Sequence, residues 1–155
     1  MARTGDPFDV WVRPYLTAMH RYAARLTSPV DADDVVQEAL VRAWRRRSTY
    51  DAGRGDPLVW LLAIVRDRAR RVRPRQVLTL AEHDRVVELR PEDVDLSRAL
   101  GGLSPRQREA VDLYYFVDLD VATIAGLMGC AEGTVRATLH QARLALRQML
   151  ETDHD

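Results

Sequence analysis

Hydrophobic residues recur at every third or fourth position along almost the whole chain, and alternating strand-like runs between turn residues are absent. This pattern predicts an all-α fold. One predicted helix covers about residues 8–26, and Pro14 is expected to bend its first part. A second covers about 31–47, and a third begins at Pro57 and ends near Arg73.

The helical pattern weakens between Pro74 and Leu103, where Pro91 and a pair of glycines interrupt an acidic stretch. We interpret this stretch as a flexible linker that contains a short helix near 92–100. It joins two small helical domains. The predicted divisions are 1–76, 77–103 and 104–155.

Three more helices are predicted after the linker. Ser104 and Gln107 have the spacing of a capping box, with Pro105 at the first helical position, so a helix is expected from there to about Val117. A short helix, a turn that contains glycine and a long helix follow, over about 121–128, 129–131 and 132–150.

The composition narrows the class of protein. Of the 155 residues, 46% are hydrophobic and 30% are charged, which predicts a folded and well-solvated chain. The longest apolar run, 58–65, is far shorter than the roughly 20 residues of a membrane helix. The single cysteine, Cys130, and the four histidines show no metal-ligand spacing. We therefore expect a soluble cytoplasmic protein with no membrane insertion, structural metal or cofactor.

The formal net charge of zero conceals a gradient along the chain. Residues 1–77 contain 15 arginines and nine acidic residues, whereas residues 78–155 contain eight arginines and 14 acidic residues. All positive residues are arginine, which we attribute to compositional bias. The concentration of basic charge in the first half is compatible with a nucleic-acid partner.

The first functional pattern is the sequence VATIAGLMGCAEGTVRATLHQARLALRQML, which predicts a short helix, a turn and a longer helix. This is the layout of a helix-turn-helix DNA reader. On the longer helix an apolar stripe faces inward, and a second row contains Arg136, His140, Arg143 and Arg147. The alternative is an ordinary helical hairpin with a solvated arginine face.

The second functional pattern is the predicted helix PLVWLLAIVRDRARRVRPR, which carries six arginines within ten residues. Such a cluster suits a phosphate backbone, and a solvated charged face is the alternative. Trp60 lies nearly opposite the apolar stripe, with Ile64 one turn later. We expect Trp60 either to stack on an unpaired base or to pack against the helix of 31–47.

These residues carry a family resemblance. Region two of the extracytoplasmic-function sigma factors resembles the stretch LTSPVDADDVVQEALVRAWRRRSTYDAGRGDPLVWLLAIVRDRARR, and region four resembles LSPRQREAVDLYYFVDLDVATIAGLMGCAEGTVRATLHQAR. The match covers nearly the whole chain in the right order. It implies a bacterial transcription initiation factor, not an enzyme, that binds core RNA polymerase and directs it to promoter DNA. An anti-sigma factor is a further expected partner.

The resemblance also implies functional roles for individual residues. The segment that docks on the largest polymerase subunit corresponds to Asp33, Asp34, Gln37 and Glu38. The loop and helix that capture a flipped base and hold the opened strand of the minus-ten element correspond to Tyr50, Gly53, Arg54, Trp60, Arg66, Arg70 and Arg73. The positions that face the minus-thirty-five element correspond to Thr134, Arg136, Ala137, His140, Gln141 and Arg143.

The chain departs from the family pattern at two places. The last helix is less basic than is usual in the family, and Asp67 stands where asparagine is more frequent. Each assignment also has a structural alternative, because an acidic first turn stabilises any helix and glycines are common in loops.

Two other functions stay open. One is a helix-turn-helix regulator that does not dock on polymerase, and the match to residues 31–73 opposes it. The other is a sigma-like protein that titrates an anti-sigma factor, and the six-arginine helix opposes it.

The predicted linker is long enough to bridge the two promoter elements, since about 30 residues span roughly 30 Å on average and about 100 Å when stretched. The two promoter elements are about 58 Å apart.

Overall fold

The computed structural model describes residues 7–53, 55–72 and 91–152, and the side chains from residue 95 in the last of these ranges. Every regular element within these ranges is helical, which confirms the all-α prediction. The elements are α1 (Pro7–Val12), a 3-10 turn (Arg13–Tyr15), α2 (Leu16–Leu26), α3 (Pro29–Arg45), a second 3-10 turn (Arg47–Thr49), α4 (Pro57–Val72), α5 (Pro91–Gly101), α6 (Pro105–Val111), a π-helical turn (Asp112–Phe116), α7 (Val121–Met128) and α8 (Glu132–Thr152).

Side-chain caps begin the main helices where short polar residues precede them. Ser28 accepts a hydrogen bond from the backbone N–H of Asp31, and Asp56 accepts one from Leu58. The capping box at Ser104 is confirmed, because Ser104 and Gln107 exchange both of its hydrogen bonds.

The first two predicted helices differ in detail from the structure. The 3-10 turn at Arg13–Tyr15 interrupts the helix predicted over 8–26, as the ring of Pro14 requires. Helix α3 begins two residues earlier than predicted, because Pro29 occupies its first position after the Ser28 cap. The short helix expected near 92–100 is confirmed as α5, which packs on α8.

Helices α1–α4 form an N-terminal bundle in which α2, α3 and α4 pack on one another. Apolar stripes at helical spacing meet at its centre. The residues that are less than 2% exposed there are Met19, Tyr22, Ala23, Val35, Val36, Ala39, Ala43, Leu61, Leu62, Val65 and Ala69.

Helices α5–α8 form a C-terminal bundle in which α8 packs on α5, α6 and α7. Its most buried large side chains are Leu113, Ile124, Val135 and Leu139. Gly129 ends α7 with φ +68°, a left-handed conformation that glycine adopts without strain, and it turns the chain into α8.

The two bundles share one continuous hydrophobic core. Helix α4 packs on α2 and α3 and also on α7, and α2 packs on the π-helical turn. Ile64 is therefore only 6% exposed, although the sequence analysis placed it on the outward side of α4 beside Trp60. That expectation was wrong because a helix with neighbours on several sides buries more than one stripe.

Tyr22 provides a test of the packing between the bundles. It is 1% exposed, and its hydroxyl has no hydrogen-bond partner among the described residues. Burial, with a smaller contribution from the nearby Glu109 carboxylate, raises the pKa of Tyr22 to about 12.

The unfolded chain releases the tyrosine proton near pH 10, whereas the folded chain holds it to higher pH. The stability that Tyr22 contributes is therefore constant below pH 10 and falls as the pH rises to 12. We expect the free energy of unfolding, measured by urea denaturation, to fall by about 1–3 kcal/mol more in the wild type than in Tyr22→Phe between pH 9 and pH 12. At pH 7 the variant should be no less stable, because it removes a buried hydroxyl that has no partner. If the free energy of unfolding changed by the same amount in the wild type and in Tyr22→Phe between pH 9 and pH 12, this expectation would be contradicted.

Candidate polymerase and nucleic-acid surfaces

The four residues predicted to dock on polymerase all lie exposed on one face of α3. Their spacing places them together, because Ala32, Val35, Val36 and Ala39 hold the opposite face in the core. The Asp33 side chain is 82% exposed, with its Oδ1 atom 3.4 Å from Nδ1 of His20 on α2. Arg68 of α4 donates a hydrogen bond from Nε to Oε2 of Glu38 at 2.9 Å. We call these four residues (Asp33, Asp34, Gln37 and Glu38) the acidic face.

A basic groove lies directly beside the acidic face, between α3 and α4. It has a volume of about 570 Å³ and is lined by Gln37, Glu38, Val41, Arg42, Arg45, Arg46, Arg68 and Arg71. The nearby positive charge of Arg46 is the main reason that the pKa of Arg42 is lowered. No pattern in the sequence predicted that arginines at the end of α3 would face arginines of α4. Only the packing of the two helices joins the two sets.

An aromatic cluster lies at the start of α4 and consists of Trp11, Tyr50 and Trp60. The ring centroids are 5.3 Å apart for Trp11 and Tyr50, 5.3 Å for Tyr50 and Trp60, and 6.2 Å for Trp11 and Trp60. All three residues are half-buried. Trp60 thus packs against Trp11 of α1 and Tyr50 of the loop. Trp11 was missed because its place in the cluster depends on how α1 crosses α4.

The loop of 50–56 is attached to this cluster through its own hydrogen bonds. The Tyr50 hydroxyl donates to the carbonyl of Gly55 at 3.4 Å, and the N–H of Gly53 donates to Oδ1 of Asp51 at 2.9 Å. A Cβ atom on residue 53 would lie 3.2 Å from that same oxygen, so glycine suits this close turn. Arg54 lies outside the described residues.

The arginines of α4 are not gathered on one surface. Arg66 is half-buried and donates a hydrogen bond to the carbonyl of Leu127 on α7 at 3.0 Å. Arg68 faces the acidic face, and Arg70 and Arg71 are exposed. Arg73 lies outside the described residues. The sequence correctly predicted a helix rich in arginine, but it did not predict that these arginines would face different neighbours.

The six residues predicted to face the minus-thirty-five element are all exposed on α8, between residues 134 and 143. Val135, Leu139 and Ala142 hold the opposite face in the core, as predicted. Arg136 is 3.3 Å from Glu132, one turn earlier. Arg143 donates from Nε to the Tyr115 hydroxyl at 2.6 Å. Helices α7 and α8, with the turn at Gly129, form the predicted helix-turn-helix.

Two family models match the chain. A model of sigma-70 region 2 matches residues 11–77, and a model of sigma-70 region 4 matches residues 93–146. The ECF RNA polymerase sigma factor SigL of Mycobacterium tuberculosis is 33% identical over 150 residues, covering 88% of this chain and 85% of the relative. The chain belongs to the ECF RNA polymerase sigma factors. Membership makes it a transcription initiation factor.

A further relative and two solved structures are also similar to this chain. SigF of Caulobacter vibrioides is 33% identical over 79% of this sigma factor and 73% of its own length. The solved structure of CnrH in complex with the cytosolic domain of CnrY has a TM-score of 0.71 at 26% identity, and covers 94% of this chain and 88% of CnrH. The sigma factor RpoE in complex with the anti-sigma factor NepR from Bartonella quintana has a TM-score of 0.66 at 28% identity, covering 94% and 98%.

The sigma factor also has a large apolar groove that the sequence analysis missed. It lies between α5, the π-helical turn and α8, with a volume of about 1160 Å³. Its apolar lining is Leu96, Leu100, Val111, Tyr115, Phe116, Leu146 and Leu150. The run Tyr114-Tyr115-Phe116 was a signal in the sequence, because a helix that ends in three aromatic residues cannot bury all of them against one neighbour.

The described part of this sigma factor was also searched for a membrane-spanning helix and for a metal-binding group, and it contains neither. No helix there is long and apolar enough to cross a membrane. Within the same residues, no three His, Cys, Asp or Glu side chains are grouped so that they could hold a metal ion.

Proposed function

We propose that this sigma factor docks on core RNA polymerase through the acidic face, opens the minus-ten element with α4 and the loop before it, and reads the minus-thirty-five element with α8. One observation supports the proposal most strongly. The docking set and the minus-thirty-five set each lie exposed on one face of a helix whose other face is buried. The boundaries 1–76, 77–103 and 104–155, a cytoplasmic location and the absence of enzymatic activity belong to the same proposal.

Run-off transcription with purified core polymerase tests the whole proposal, because only a sigma factor makes initiation depend on the promoter sequence. Genomic promoter fragments serve as templates, and core polymerase alone is the control. Promoter-specific transcripts support the proposal. DNA protection without transcripts would favour a helix-turn-helix regulator, and the absence of both would favour a sigma-like interaction protein.

The acidic face is suited to a polymerase surface because it is exposed and presents three carboxylates within two turns of α3. Charge of one sign on an open surface steers a partner of opposite sign and fixes its register. The basic groove beside it adds charge of the other sign, so the partner is expected to carry both signs in matching order.

Asp34→Arg tests this docking role. We expect the variant to bind core polymerase at least tenfold more weakly, about 1.4 kcal/mol, because it places a like charge against the partner. The measurement is a titration of labelled polymerase, with circular dichroism to verify that helix content is retained. Glu151→Arg, an exposed charge reversal on the last turn of α8, is the matched control. Equal affinity of the wild type and Asp34→Arg would refute the docking role of the acidic face.

The aromatic cluster is suited to an unstacked base. Flipping a base costs a few kcal/mol, and stacking it on an aromatic side chain returns about 1–3 kcal/mol. Trp11, Tyr50 and Trp60 are half-buried, so they are held in place while part of each ring still faces solvent. The exposed Arg70 on the same helix supplies charge for the strand backbone.

Trp60→Ala should reduce promoter opening, because it removes the ring that contacts both other members of the cluster. We expect permanganate reactivity of the minus-ten thymines to fall at least fivefold, in line with the loss of about 1–3 kcal/mol of stacking. Trp44→Ala is the control, since Trp44 is 44% exposed on α3 and lies outside the cluster. If both variants open the promoter equally well, the cluster is not the base-binding site.

The first half of α8 is suited to a major groove because its exposed face presents arginine, histidine and glutamine on a helix anchored by its opposite face. Arg136→Ala should weaken binding to the minus-thirty-five element by about 1–3 kcal/mol if the contact is to a base edge. A phosphate contact would instead weaken specific and scrambled DNA alike and lower the salt slope by about one. Footprints on both DNAs distinguish these cases, and full protection by Arg136→Ala would contradict a role in reading DNA.

An anti-sigma factor is the further partner that we propose, because the similar sigma factor RpoE was solved in complex with the anti-sigma factor NepR. The apolar groove is its proposed contact, as an amphipathic helix would cover the exposed side chains of Leu96, Tyr115 and Phe116. Charged residues at its rim, such as Arg143 and Arg147, would suit an acidic flank of that helix.

The double variant Leu96→Arg/Leu150→Arg should lose co-purification with a co-expressed anti-sigma factor while run-off transcription continues. The physical reason is that two buried arginines in an apolar contact lack partners. Leu144→Arg is the matched control, because Leu144 is 39% exposed on the same helix and lies outside the groove. Retained co-purification of the double variant would show that the inhibitor binds elsewhere.

A further inference from the structure

The basic groove between α3 and α4 concentrates positive charge from two helices. Arg42, Arg45 and Arg46 of α3 and Arg68 and Arg71 of α4 all line it. The three positions on α3 span about 6 Å along the helix axis and the two on α4 about 4.5 Å, since an α-helix rises about 1.5 Å per residue. Five guanidinium groups therefore face one space of about 570 Å³ within little more than one helical turn.

Acidic residues neutralise only one of these charges. Among the described residues that line the groove, Glu38 is the one carboxylate, and Arg68 donates to its Oε2 atom from Nε at 2.9 Å. Within the described ranges of the chain, no carboxylate lies within 4 Å of the four remaining guanidinium groups. Four positive charges of the groove are thus left without an ion-pair partner there.

The mutual repulsion of these arginines has its clearest effect on Arg42. Its pKa is lowered, first by the positive charge of Arg46 and then by burial and by Arg71 and Arg68. The carboxylate of Asp67 acts in the opposite direction, but its contribution is the smallest. The groove is therefore a region of uncompensated positive potential.

Neighbouring arginines do not share this arrangement. Arg47 follows Arg46 in the sequence, yet its guanidinium lies 4.2 Å from the centroid of the Trp44 ring and donates to the Trp44 carbonyl at 2.7 Å. Arg70 is exposed on α4 and is not part of the lining. The packing of α3 on α4, rather than the arginine runs of the sequence, brings the five guanidinium groups together.

A ligand that neutralises the groove must carry several negative charges close together. One strand of duplex DNA presents a phosphate about every 3.4 Å of helix axis, and an extended peptide presents a side chain about every 3.3 Å on alternating faces. Over the length of about 6 Å that the arginines occupy, either ligand supplies about two charges or fewer. Condensed phosphates, in which the phosphate groups are joined directly through shared oxygens, have a higher charge density. This density matches four unpaired guanidinium groups better.

We propose that the basic groove is a binding site for a small condensed phosphate, a chain of linked phosphate groups that is either inorganic or part of a nucleotide. Guanidinium groups suit this ligand, because their planar forks donate paired hydrogen bonds to phosphate oxygens. The volume of about 570 Å³ also lies within the range of about 300–1,000 Å³ that is usual for small-molecule sites.

The site adjoins the proposed polymerase-docking surface. Gln37 and Glu38 belong both to the acidic face and to the lining of the groove. A condensed phosphate in the groove brings negative charge to this border, competes with Glu38 for Arg68, and displaces any acidic group of polymerase that faces the arginines. The ligand therefore weakens docking. This consequence rests on the proposed docking role of α3, whereas the binding site itself does not.

Isothermal titration calorimetry of the full chain tests the site. The probes are inorganic triphosphate and adenosine triphosphate, with inorganic monophosphate for comparison, at about 0.15 M salt, where attraction between distant charges is screened. Arg42→Gln/Arg71→Gln removes one guanidinium from each helix. Arg13→Gln/Arg21→Gln is the matched control, because it removes the same charge from two exposed positions outside the groove. Circular dichroism verifies that both variants keep their helix content.

We expect the wild type and the control variant to bind one triphosphate per chain with equal affinity, and Arg42→Gln/Arg71→Gln to bind it at least tenfold more weakly. Equal affinities for the two triphosphates would mean that the phosphate chain alone is recognised, and a higher affinity for adenosine triphosphate would identify a nucleotide as the ligand. The absence of binding by the wild type overturns the proposal, as does equal weakening in both double variants, since net charge alone would then explain binding. The proposal also fails if a 12-base-pair duplex binds more tightly than triphosphate and depends on Arg42 and Arg71, because the groove would then contact a DNA backbone.

A titration of labelled core polymerase tests the effect on docking. Inorganic triphosphate at ten times its own dissociation constant should raise the apparent dissociation constant of the wild type for polymerase about tenfold, by mass action. The same addition should change that of Arg42→Gln/Arg71→Gln less than twofold. An equal change in both proteins, or none in the wild type, would refute the effect on docking. If the wild type does not bind polymerase at all, the docking role of α3 fails and this effect fails with it, whereas the calorimetry still decides the binding site.

Discussion

The packing of α4 is the constraint on which the rest of this structure depends. The helix contributes Leu61, Leu62 and Val65 to the core of the N-terminal bundle, and its other side rests on α7 of the C-terminal bundle. A helix that is covered on several sides has little surface left for ligands. The residues that we propose to be functional therefore lie at its two ends, with the aromatic cluster at the start and exposed arginines near the end.

The distribution of charge follows from the same packing. Arginines of α4 that the sequence places within one turn of each other meet different neighbours, because α3 lies on one flank and α7 on the other. Arg68 meets the carboxylate of Glu38, Arg66 meets region 4, and Arg70 meets solvent. These three arginines, which are close together in the sequence, therefore lie in three different environments. The basic groove arises in the same way, where arginines of α3 and α4 approach without enough acidic residues to neutralise them.

Region 4 has both the face that we propose to read DNA and an apolar groove, and α8 contributes to both. Its first half presents exposed polar residues, whereas Leu146 and Leu150 in its second half line the groove. Arg143 lies where the two surfaces meet, hydrogen-bonded to Tyr115. Any protein that occupies the groove therefore touches a residue proposed to contact DNA. This proximity offers a direct physical route by which an inhibitor would compete with the promoter.

The sequence by itself determined the helices, their caps and their buried stripes, because helical periodicity, proline and short capping side chains act within a few residues of each other. It also determined which faces of α3 and α8 are exposed, since the apolar stripe of a helix defines the opposite face. Only the tertiary structure decided the burial of Ile64, the place of Trp11 in the aromatic cluster and the hydrogen bond from Arg66 to the carbonyl of Leu127. These features depend on contacts between residues far apart in the chain, and no local pattern specifies which helix packs against which.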